Sequence, residues 1–551
     1  MRILFEDYPY NKETVSSLEG IVPIKLQNGK MKLPYVGYYC DAGEGATFIL
    51  PKVFIVNNQA FGRYQPEDII DPSSAIHPLS SEDKAFLFSV STWLYQAIAL
   101  FNNRHTENEI TSSHILAGLV NNRGTNDVTL IDHILALLRF NKEHTNLFTY
   151  ITNIQHSGNN KIHWPKSIRQ TQPLLYKGAP LYLDCKTKSK VINYNEELMI
   201  LFFSTLNYLA SSYHFKVKKT FNYDTFKTYP VAHLIESGKG TKLLRKIRNK
   251  YFIDELVALW NLLNAFYKQA EHVAQKKGYS ERLIVRNFNI VFEDMIDALI
   301  GDNTLPKGLK EQKDGKIIDH IYREKSLFNS SDIYFIGDSK YYKENNEISK
   351  NSLYKQFTYA KNVIQYNIDI FNGKQQGENL HYRDELTEGY NPTPNFFVRG
   401  FVDPSDLSYS DIKLHNEDKV DCNYHFTNRL FDRDSLLVLT YDINFLYVLS
   451  TYVQNYKVKD RENNYLRQRF RADLIDTFDK SYDFYRISPL NELTNDAFIE
   501  KYFRKLIGKI YCTIEGLLLL ALKKGEYENQ QLLKIISKDM KVDKISLTEI
   551  E

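Results

Sequence analysis

The stretch that decides the fold is DIYFIGDSKYYK, residues 332–343. Its first half is rich in β-branched and aromatic residues and follows two serines, a pattern typical of a buried strand. Asp338 and Lys340 lie two positions apart near the end of this run. Because side chains two apart on a strand point to the same face, we expect a carboxylate and an ammonium group side by side on a rigid edge. Such an edge can hold a metal ligand next to a lysine that activates water or stabilises charge.

A second strand is predicted upstream, over residues 316–322, after the turn-like KDG at 313–315. It places Asp319 among apolar residues, where a carboxylate is unfavourable unless it is paired or bound to a metal. Hairpin-like pairing of the two strands would bring Asp319 close to Asp338. Two carboxylates form a hard-oxygen site of the kind that suits Mg²⁺.

Two predicted helices flank these strands. Residues 287–300 have an apolar face, with Glu293 at its edge. Residues 353–364 place Gln356 and Tyr359 three apart on one side of a helix. The order is therefore helix Glu, strand Asp, strand Asp-x-Lys and helix Gln-x-x-Tyr.

In that order, residues 285–370 resemble the PD-(D/E)-x-K nuclease fold, with Ile318 in place of the proline. More narrowly, the Phe292–Glu293 helix, the Asp338–Tyr341 motif and residues 356–360 are similar to McrC-like nuclease subunits, which include the LlaJI type of restriction systems. Residues 431–436 and 444–448 also resemble LlaJI proteins. The resemblance implies a Mg²⁺-dependent endonuclease that cleaves double-stranded DNA in bacterial antiviral defence. It also implies that a separate McrB-like AAA+ GTPase drives the nuclease and is engaged by the long N-terminal part of the chain.

The resemblance implies a role for each motif residue. One or two Mg²⁺ ions would be held by three carboxylates: Asp319, Asp338 and Glu293. Lys340 would orient the attacking water or stabilise the phosphate, and Gln356 and Tyr359 would support the strands or the DNA backbone.

Each of these residues also has an ordinary structural interpretation. Asp338 and Lys340 can form an exposed pair of little energetic value. Asp319 can cap a turn, and Glu293 can be a surface residue with Asp294 and Asp297 as nearby competitors.

The predicted fold class is multidomain α+β, because 551 residues exceed a single core. The predicted units are a β-rich N-terminal domain (1–78), a helical and strand region (79–192), a long-helix arm or bundle for partner contact (193–280), an α/β nuclease core (281–400) and a C-terminal α/β extension that completes the nuclease domain (401–551). Helices are predicted from Ser80 onward, at 111–121, 128–140, 194–214 and 252–277, and a strand followed by a helix from Asp442.

Composition narrows the class of protein. A hydrophobic fraction of 43% indicates packed domains, and a net charge of +3 does not by itself indicate nucleic-acid binding. Four cysteines without a CxxC motif argue against a zinc site or disulfide framework and favour a reducing compartment. Acidic residues close to Met1 argue against a signal peptide, and we expect a cytoplasmic protein without membrane contact.

Nucleotide hydrolysis would need another chain, because no GxxxxGK[ST] phosphate loop occurs in the sequence. Residues 239–250 are strongly basic and predict a DNA-facing surface through Lys242, Arg245, Lys246 and Arg248, although a solvated helix face is an equal alternative. Lys166 beside Trp164 predicts a base-stacking or phosphate contact, and a Trp packed at a core edge is the alternative.

Two rival functions remain open at this stage. The chain can be a non-catalytic scaffold that activates a partner NTPase, or a DNA-binding module dominated by residues 239–250. An intact set of Asp319, Asp338 and Lys340 argues against both, because binding alone does not require it.

Overall fold

The structure, a computed structural model, describes most of the 551 residues. It leaves out 19–23, 44, 73–76, 107–118, 123–127, 146, 148, 157–160, 194, 218–227, 277, 303, 307, 313–314, 329–330, 344–345, 375–376, 379, 405–411, 415–420, 423–427, 455–458, 491–492 and 550–551.

The described residues form a mixed α/β protein with several small sheets. Its helices are α1 (Lys12–Val15), α2 (Pro66–Ile70), α3 (Ser81–Thr106), α4 (Leu130–Glu143), α5 (Trp164–Gln170), α6 (Glu197–Tyr213), α7 (Val231–Glu236), α8 (Gly240–Ile247), α9 (Asp254–Gln275), α10 (Phe288–Ile300), α11 (Lys350–Phe371), α12 (Phe445–Gln454), α13 (Lys459–Ser481), α14 (Asn495–Leu506) and α15 (Tyr527–Ile536).

The strands are β1 (Arg2–Phe5), β2 (Lys25–Gln27), β3 (Lys30–Lys32), β4 (Val36–Asp41), β5 (Gly45–Leu50), β6 (Ile55–Val56), β7 (Gln59–Ala60), β8 (Leu119–Asn122), β9 (Tyr150–His156), β10 (Leu174–Tyr176), β11 (Ala179–Leu181), β12 (Lys186–Ile192), β13 (Ser280–Val285), β14 (His320–Lys325), β15 (Asp332–Lys340), β16 (Pro394–Phe401), β17 (Ile412–Leu414), β18 (Asp421–Cys422), β19 (Leu437–Asn444), β20 (Tyr482–Pro489), β21 (Ile510–Cys512), β22 (Leu518–Lys523) and β23 (Met540–Ile545).

The first sheet joins strands that are far apart in the chain, in the order β1-β5-β4-β13-β8. Strand β13 pairs antiparallel with both β4 and β8, so it sits between the N-terminal strands and a strand of the following region. Because β13 ends at Val285 and α10 begins at Phe288, the chain passes directly from this sheet into the helix that carries Glu293. The sheet thus runs across the predicted boundaries at 78 and 192.

Helix α3 starts with a capping box, as its sequence predicts: the Asp83 N–H donates to Ser80 Oγ at 3.0 Å and the Ser80 N–H donates to Asp83 Oδ2 at 3.1 Å. Among the described residues, it is the one helix long and apolar enough to cross a bilayer by length and composition. However, 61% of its apolar window is buried within the protein, as in the core helix of a soluble protein.

The predicted helices at 128–140, 194–214 and 252–277 are confirmed as α4, α6 and α9. Leu259 and Leu263 of α9 are fully buried, and α9 packs against α4. The long helices therefore belong to a packed helical layer rather than to a free arm.

The second sheet carries the residues of interest and has the order β14-β15-β16-β19-β17, with β18 also paired to β19. Strand β15 pairs antiparallel with β14 and parallel with β16, and β16 pairs parallel with β19. The apolar run from Ile333 to Ile336 is buried, as predicted for this strand. Helices α10 and α11 both contact β15.

A third sheet, β21-β22-β20-β23, lies near the C-terminus and packs with α14 and α15 around its own hydrophobic cluster. The predicted C-terminal extension is thus divided. Its strands β17 to β19 complete the second sheet, whereas β20 to β23 form the third.

Three sequence-based expectations need correction. Residues 111–118 of the helix predicted at 111–121 lie outside the described residues, and 119–122 form strand β8. The strand predicted over 316–322 begins only at His320. The helix predicted from Asp442 begins at Phe445, because Asp442 still pairs within the sheet, opposite Arg399 of β16.

Candidate active site

Asp338 and Lys340 form an ion pair at the end of β15. Their side chains are only 5% and 12% exposed, so the interpretation of an exposed surface pair is wrong. The alternation of the strand places both side chains on one face, as the sequence predicts. The Lys340 ammonium also lies 5.3 Å from the centre of the Phe397 ring on the neighbouring strand β16.

Asp319 lies in the bend directly before β14, and the pairing of β14 with β15 brings it beside Asp338. In this register His320 is opposite Gly337, which confirms the predicted hairpin-like arrangement. The Ser339 N–H donates to Asp319 Oδ2 at 3.2 Å, and the charge of the neighbouring Asp338 raises the pKa of Asp319. The Asp319 carboxylate therefore faces β15 rather than capping its own turn.

Glu293 approaches the same carboxylates from helix α10. Asn289, one turn earlier, donates to Glu293 Oε1 at 3.4 Å. Its two predicted competitors are engaged elsewhere. Asp294 accepts hydrogen bonds from Arg104 at 2.8 Å and Tyr452 at 2.6 Å, and Asp297 accepts one from Lys310 at 2.7 Å.

The pKa directions show that negative charge is in excess at this point. Burial raises the pKa of Asp319 well above its usual range, and the nearby charges of Asp338 and Glu293 raise it further. Burial and the charge of Asp338 likewise raise the pKa of Glu293, despite the opposing effect of the Lys340 and Lys355 cations. Carboxylates in this state gain from binding either protons or a cation.

The two predicted supporting residues reach this region from helix α11. The Gln356 side chain donates from Nε2 to the Ile336 carbonyl of β15 at 3.1 Å, which ties the helix to the strand. Its Oε1 atom is buried and has no hydrogen-bond partner within the described residues. Tyr359 is fully buried, and its ring lies 5.3 Å from the Lys355 ammonium.

The structure adds a buried polar chain that the sequence interpretation missed. His320 is fully buried, and its Nε2 lies 2.6 Å from Ser339 Oγ, while its Nδ1 lies 3.4 Å from Asp297 Oδ1. Burial opposes ionisation of Asp297, but His320 and Lys310 outweigh it and lower the pKa of Asp297. Burial lowers the pKa of His320 itself. The sequence did offer one sign of this chain of contacts: His320 directly follows Asp319, and Ser339 lies between Asp338 and Lys340.

A cleft of about 620 Å³ opens beside this cluster. Glu293, Ser339 and Lys340 line one side, and Glu6 and Lys52 of the N-terminal region line the other. The N-terminal sheet region therefore forms part of the wall of the candidate active site.

The cleft is not lined by any of the residues predicted to contact DNA: Lys242, Arg245, Lys246, Arg248 and Lys166. Helix α8 buries Leu244 and Ile247 and exposes Lys242, Arg245 and Lys246, as expected for a solvated face. Arg248 packs over the Trp260 ring at 5.0 Å.

Trp164 lies at the start of α5, close to Lys166. It is 51% exposed, and its ring makes an edge contact with the Tyr182 ring at 6.3 Å. The base-stacking interpretation of this Trp stays a prediction.

The fit to a metal ion follows from the donor set. Among the described residues, no group of three or more His, Cys, Asp and Glu side chains is close enough to hold one ion. Asp319 and Asp338 nevertheless supply paired hard oxygen atoms, and Mg²⁺ commonly binds through one or two carboxylates while keeping several waters. The pair fits Mg²⁺, with Glu293 suited to a water-mediated contact.

No protein-family model matches the chain, and no curated protein matches it either.

Proposed function

We propose that this chain is the Mg²⁺-dependent DNA endonuclease subunit of a bacterial restriction system of the McrBC or LlaJI kind. One observation carries the proposal: Asp319, Asp338 and Lys340 meet, nearly buried, at the end of β15 and beside an open cleft. Excess negative charge that a divalent cation would neutralise, next to a lysine, is an arrangement suited to metal-assisted phosphodiester hydrolysis.

In this proposal Asp319 and Asp338 hold the cation, and Glu293 acts through a bound water. The cation, when bound, lowers the pKa of water and neutralises charge on the phosphate. Lys340 stabilises the charge that develops on the phosphate, because its ammonium is held on the same strand face as Asp338. Gln356 positions β15 through its bond to Ile336.

The proposed partners are double-stranded DNA and a separate McrB-like AAA+ GTPase, and the proposed compartment is the cytoplasm. The missing phosphate loop supports a separate motor, because the phosphate-loop motif of AAA+ GTPases does not occur in this sequence. The N-terminal sheet that borders the cleft is a suitable route by which such a motor could influence cleavage.

The test compares wild type with Asp338→Ala and Lys340→Ala in DNA cleavage with Mg²⁺ and an added McrB-like GTPase. Loss of cleavage in both variants, with GTPase stimulation retained, is the expected result. Lys361→Ala, which removes an exposed ion pair with Asp434, serves as the control. Wild-type cleavage in both site variants would reject the proposal, and stimulation without any cleavage would favour the scaffold function.

A further inference from the structure

A second groove lies in the C-terminal part of the protein, apart from the candidate active site. It has a volume of about 610 Å³ and shares no lining residue with the first cleft. Its lining includes four basic residues and one acidic residue: Arg429, Arg504, Lys505, Lys509 and Glu528.

The basic side chains come from three different elements. Arg504 and Lys505 belong to the last turn of α14, Lys509 lies just after the Gly508 turn, and Arg429 lies in the loop that precedes β19. The Phe431 N–H donates to the Gly508 carbonyl at 2.8 Å, which fixes this loop against the turn. The folded chain therefore brings these cations together, although they are up to 80 residues apart in sequence.

The turn at Gly508 lets the backbone come close to the Arg429 side chain. Gly508 has a φ of +68°, and a Cβ atom there would lie 2.7 Å from the Cβ of Arg429. Only glycine combines this backbone conformation with a packed Arg429 side chain. The approach of Arg429 to this turn is thus part of the fold.

The charges in the groove are held at some electrostatic cost. Lys509 is partly buried and donates to the neutral Asn529 Oδ1 at 3.1 Å. Burial is the main cause that lowers the pKa of Lys509; Glu528 raises this pKa, the Arg429 cation lowers it and Glu526 raises it. Within the described part of the chain, Arg504 and Lys505 form no ion pair. An anion in the groove would therefore be attracted by two cations that no carboxylate neutralises.

We propose that this groove binds the phosphodiester backbone of nucleic acid at a second position, away from the site of cleavage. The cations are spread over three elements, which suits successive phosphates of a polymer. This proposal for the groove depends on the proposed function in one respect, namely that the substrate is nucleic acid. The groove would hold the substrate while the first cleft cuts it.

Arginine and lysine in the last turn of a helix also stabilise that helix through its dipole. Helix α15 supplies a matched control, because Lys534 lies in its last turn and Lys538 follows it, both exposed and neither lining the groove. Removing the charges of Lys534 and Lys538 changes the net charge of this part of the protein by as much as removing those of Arg504 and Lys505.

The experiment measures the affinity of the purified full chain for a short labelled duplex by fluorescence anisotropy, in EDTA and over a salt series. The Arg504→Gln/Lys505→Gln pair should weaken binding about tenfold, and its log–log salt slope should be shallower by about 0.9 for each lost contact. Adding Lys509→Gln should weaken binding further. The Lys534→Gln/Lys538→Gln pair should bind as wild type, with thermal melts confirming folding throughout.

The outcomes separate the two proposals. Unchanged affinity in the Arg504 and Lys505 pair, or equal weakening in the α15 pair, would reject the groove while leaving the nuclease proposal standing. Weakened binding in a chain that never cuts DNA would reject the nuclease and retain the groove. Unchanged duplex affinity with lost binding of inorganic phosphate, measured by calorimetry, would show that the groove takes a small phosphate instead.

Discussion

The carboxylates of Glu6 and Asp319 both lie near the end of β15, but the groups that surround them differ. Glu6 accepts hydrogen bonds from the Tyr341 hydroxyl and, at 3.3 Å, from the Lys52 N–H. Asp319 accepts one from the Ser339 N–H and otherwise faces Asp338 and Glu293.

Burial raises the pKa of both carboxylates, but the second-largest influence on the pKa has opposite signs in the two residues. For Glu6 it is the Lys52 cation, which lowers the pKa and lies 4.0 Å away. For Asp319 it is the negative charge of Asp338, which raises the pKa. Glu6 thus has a cation of the protein beside it, whereas the charges that act most on Asp319 are negative. Burial alone does not distinguish the two carboxylates, but the sign of the neighbouring charge does.

The largest expected effect separates the two sites by activity. Asp338→Asn should reduce DNA cleavage by about 100-fold or more, because even residues that only support metal ligands are typically worth 10–100-fold. Glu6→Gln, which removes a charge of the same kind on the other wall of the cleft, should retain cleavage. Steady-state cleavage with Mg²⁺ and the motor measures both. Equal losses of cleavage in Asp338→Asn and Glu6→Gln would show that the two sites do not differ in their importance for activity.

The second effect concerns stability on the Glu6 side. Tyr341→Phe removes a donor from buried Glu6 and should lower the free energy of unfolding by about 1–3 kcal/mol. Urea denaturation measures the change. Tyr354→Phe removes the hydroxyl of a residue that is 62% exposed and should have little effect. An unchanged free energy of unfolding in Tyr341→Phe would mean that the contact between Tyr341 and Glu6 does not stabilise the fold.

The third effect concerns positioning on the Asp319 side. His320→Gln should lower cleavage about tenfold and raise the Mg²⁺ concentration needed for half-maximal activity, since it loosens Ser339 and thereby Asp319. Ser339→Ala should act in the same way, and the double variant should be no worse than either single one. Additive losses with unchanged Mg²⁺ dependence would indicate a role in folding alone.

The smallest effect is the pH dependence of stability. Because the folded pKa of Asp319 is raised, the folded state retains a proton that the unfolded chain has released. In EDTA, stability should therefore fall as pH rises from the ordinary carboxyl pKa through the raised one. Mg²⁺ at three times its Kd should restore about 0.8 kcal/mol above that raised pKa and less below it.

Asp319→Asn should show a smaller decline, because Glu6 and Glu293 keep their raised pKa values, and it should show no gain from Mg²⁺, whereas Glu6→Gln should keep the gain. Urea denaturation across the pH series, with and without Mg²⁺, measures both. A gain from Mg²⁺ that survives in Asp319→Asn would place the cation elsewhere.

Much of the second sheet was predictable because its signals are local. The apolar run before Gly337 identified β15, and the two-residue spacing put Asp338 and Lys340 on one face. The boundary at Asp442 was missed by three residues because the chain continues from strand to helix without a break in apolar pattern.

Other features depend on contacts that no local pattern reports. The sequence of β13 resembles that of any short strand, and its place between β4 and β8 comes from pairing with residues up to 249 positions away. The His320–Ser339 contact likewise depends on the register of two strands rather than on either motif.

The sequence by itself determined the strand, the shared face of Asp338 and Lys340 and the flanking helices, because these follow from periodicity over a few residues. Only the tertiary structure decided which charges surround each carboxylate. The Glu6 contact with Tyr341 spans 335 residues, and the grouping of Arg429 with Lys509 depends on how the C-terminal elements pack. Long-range packing sets burial and the sign of neighbouring charge, and these quantities separate a structural carboxylate from a candidate catalytic one.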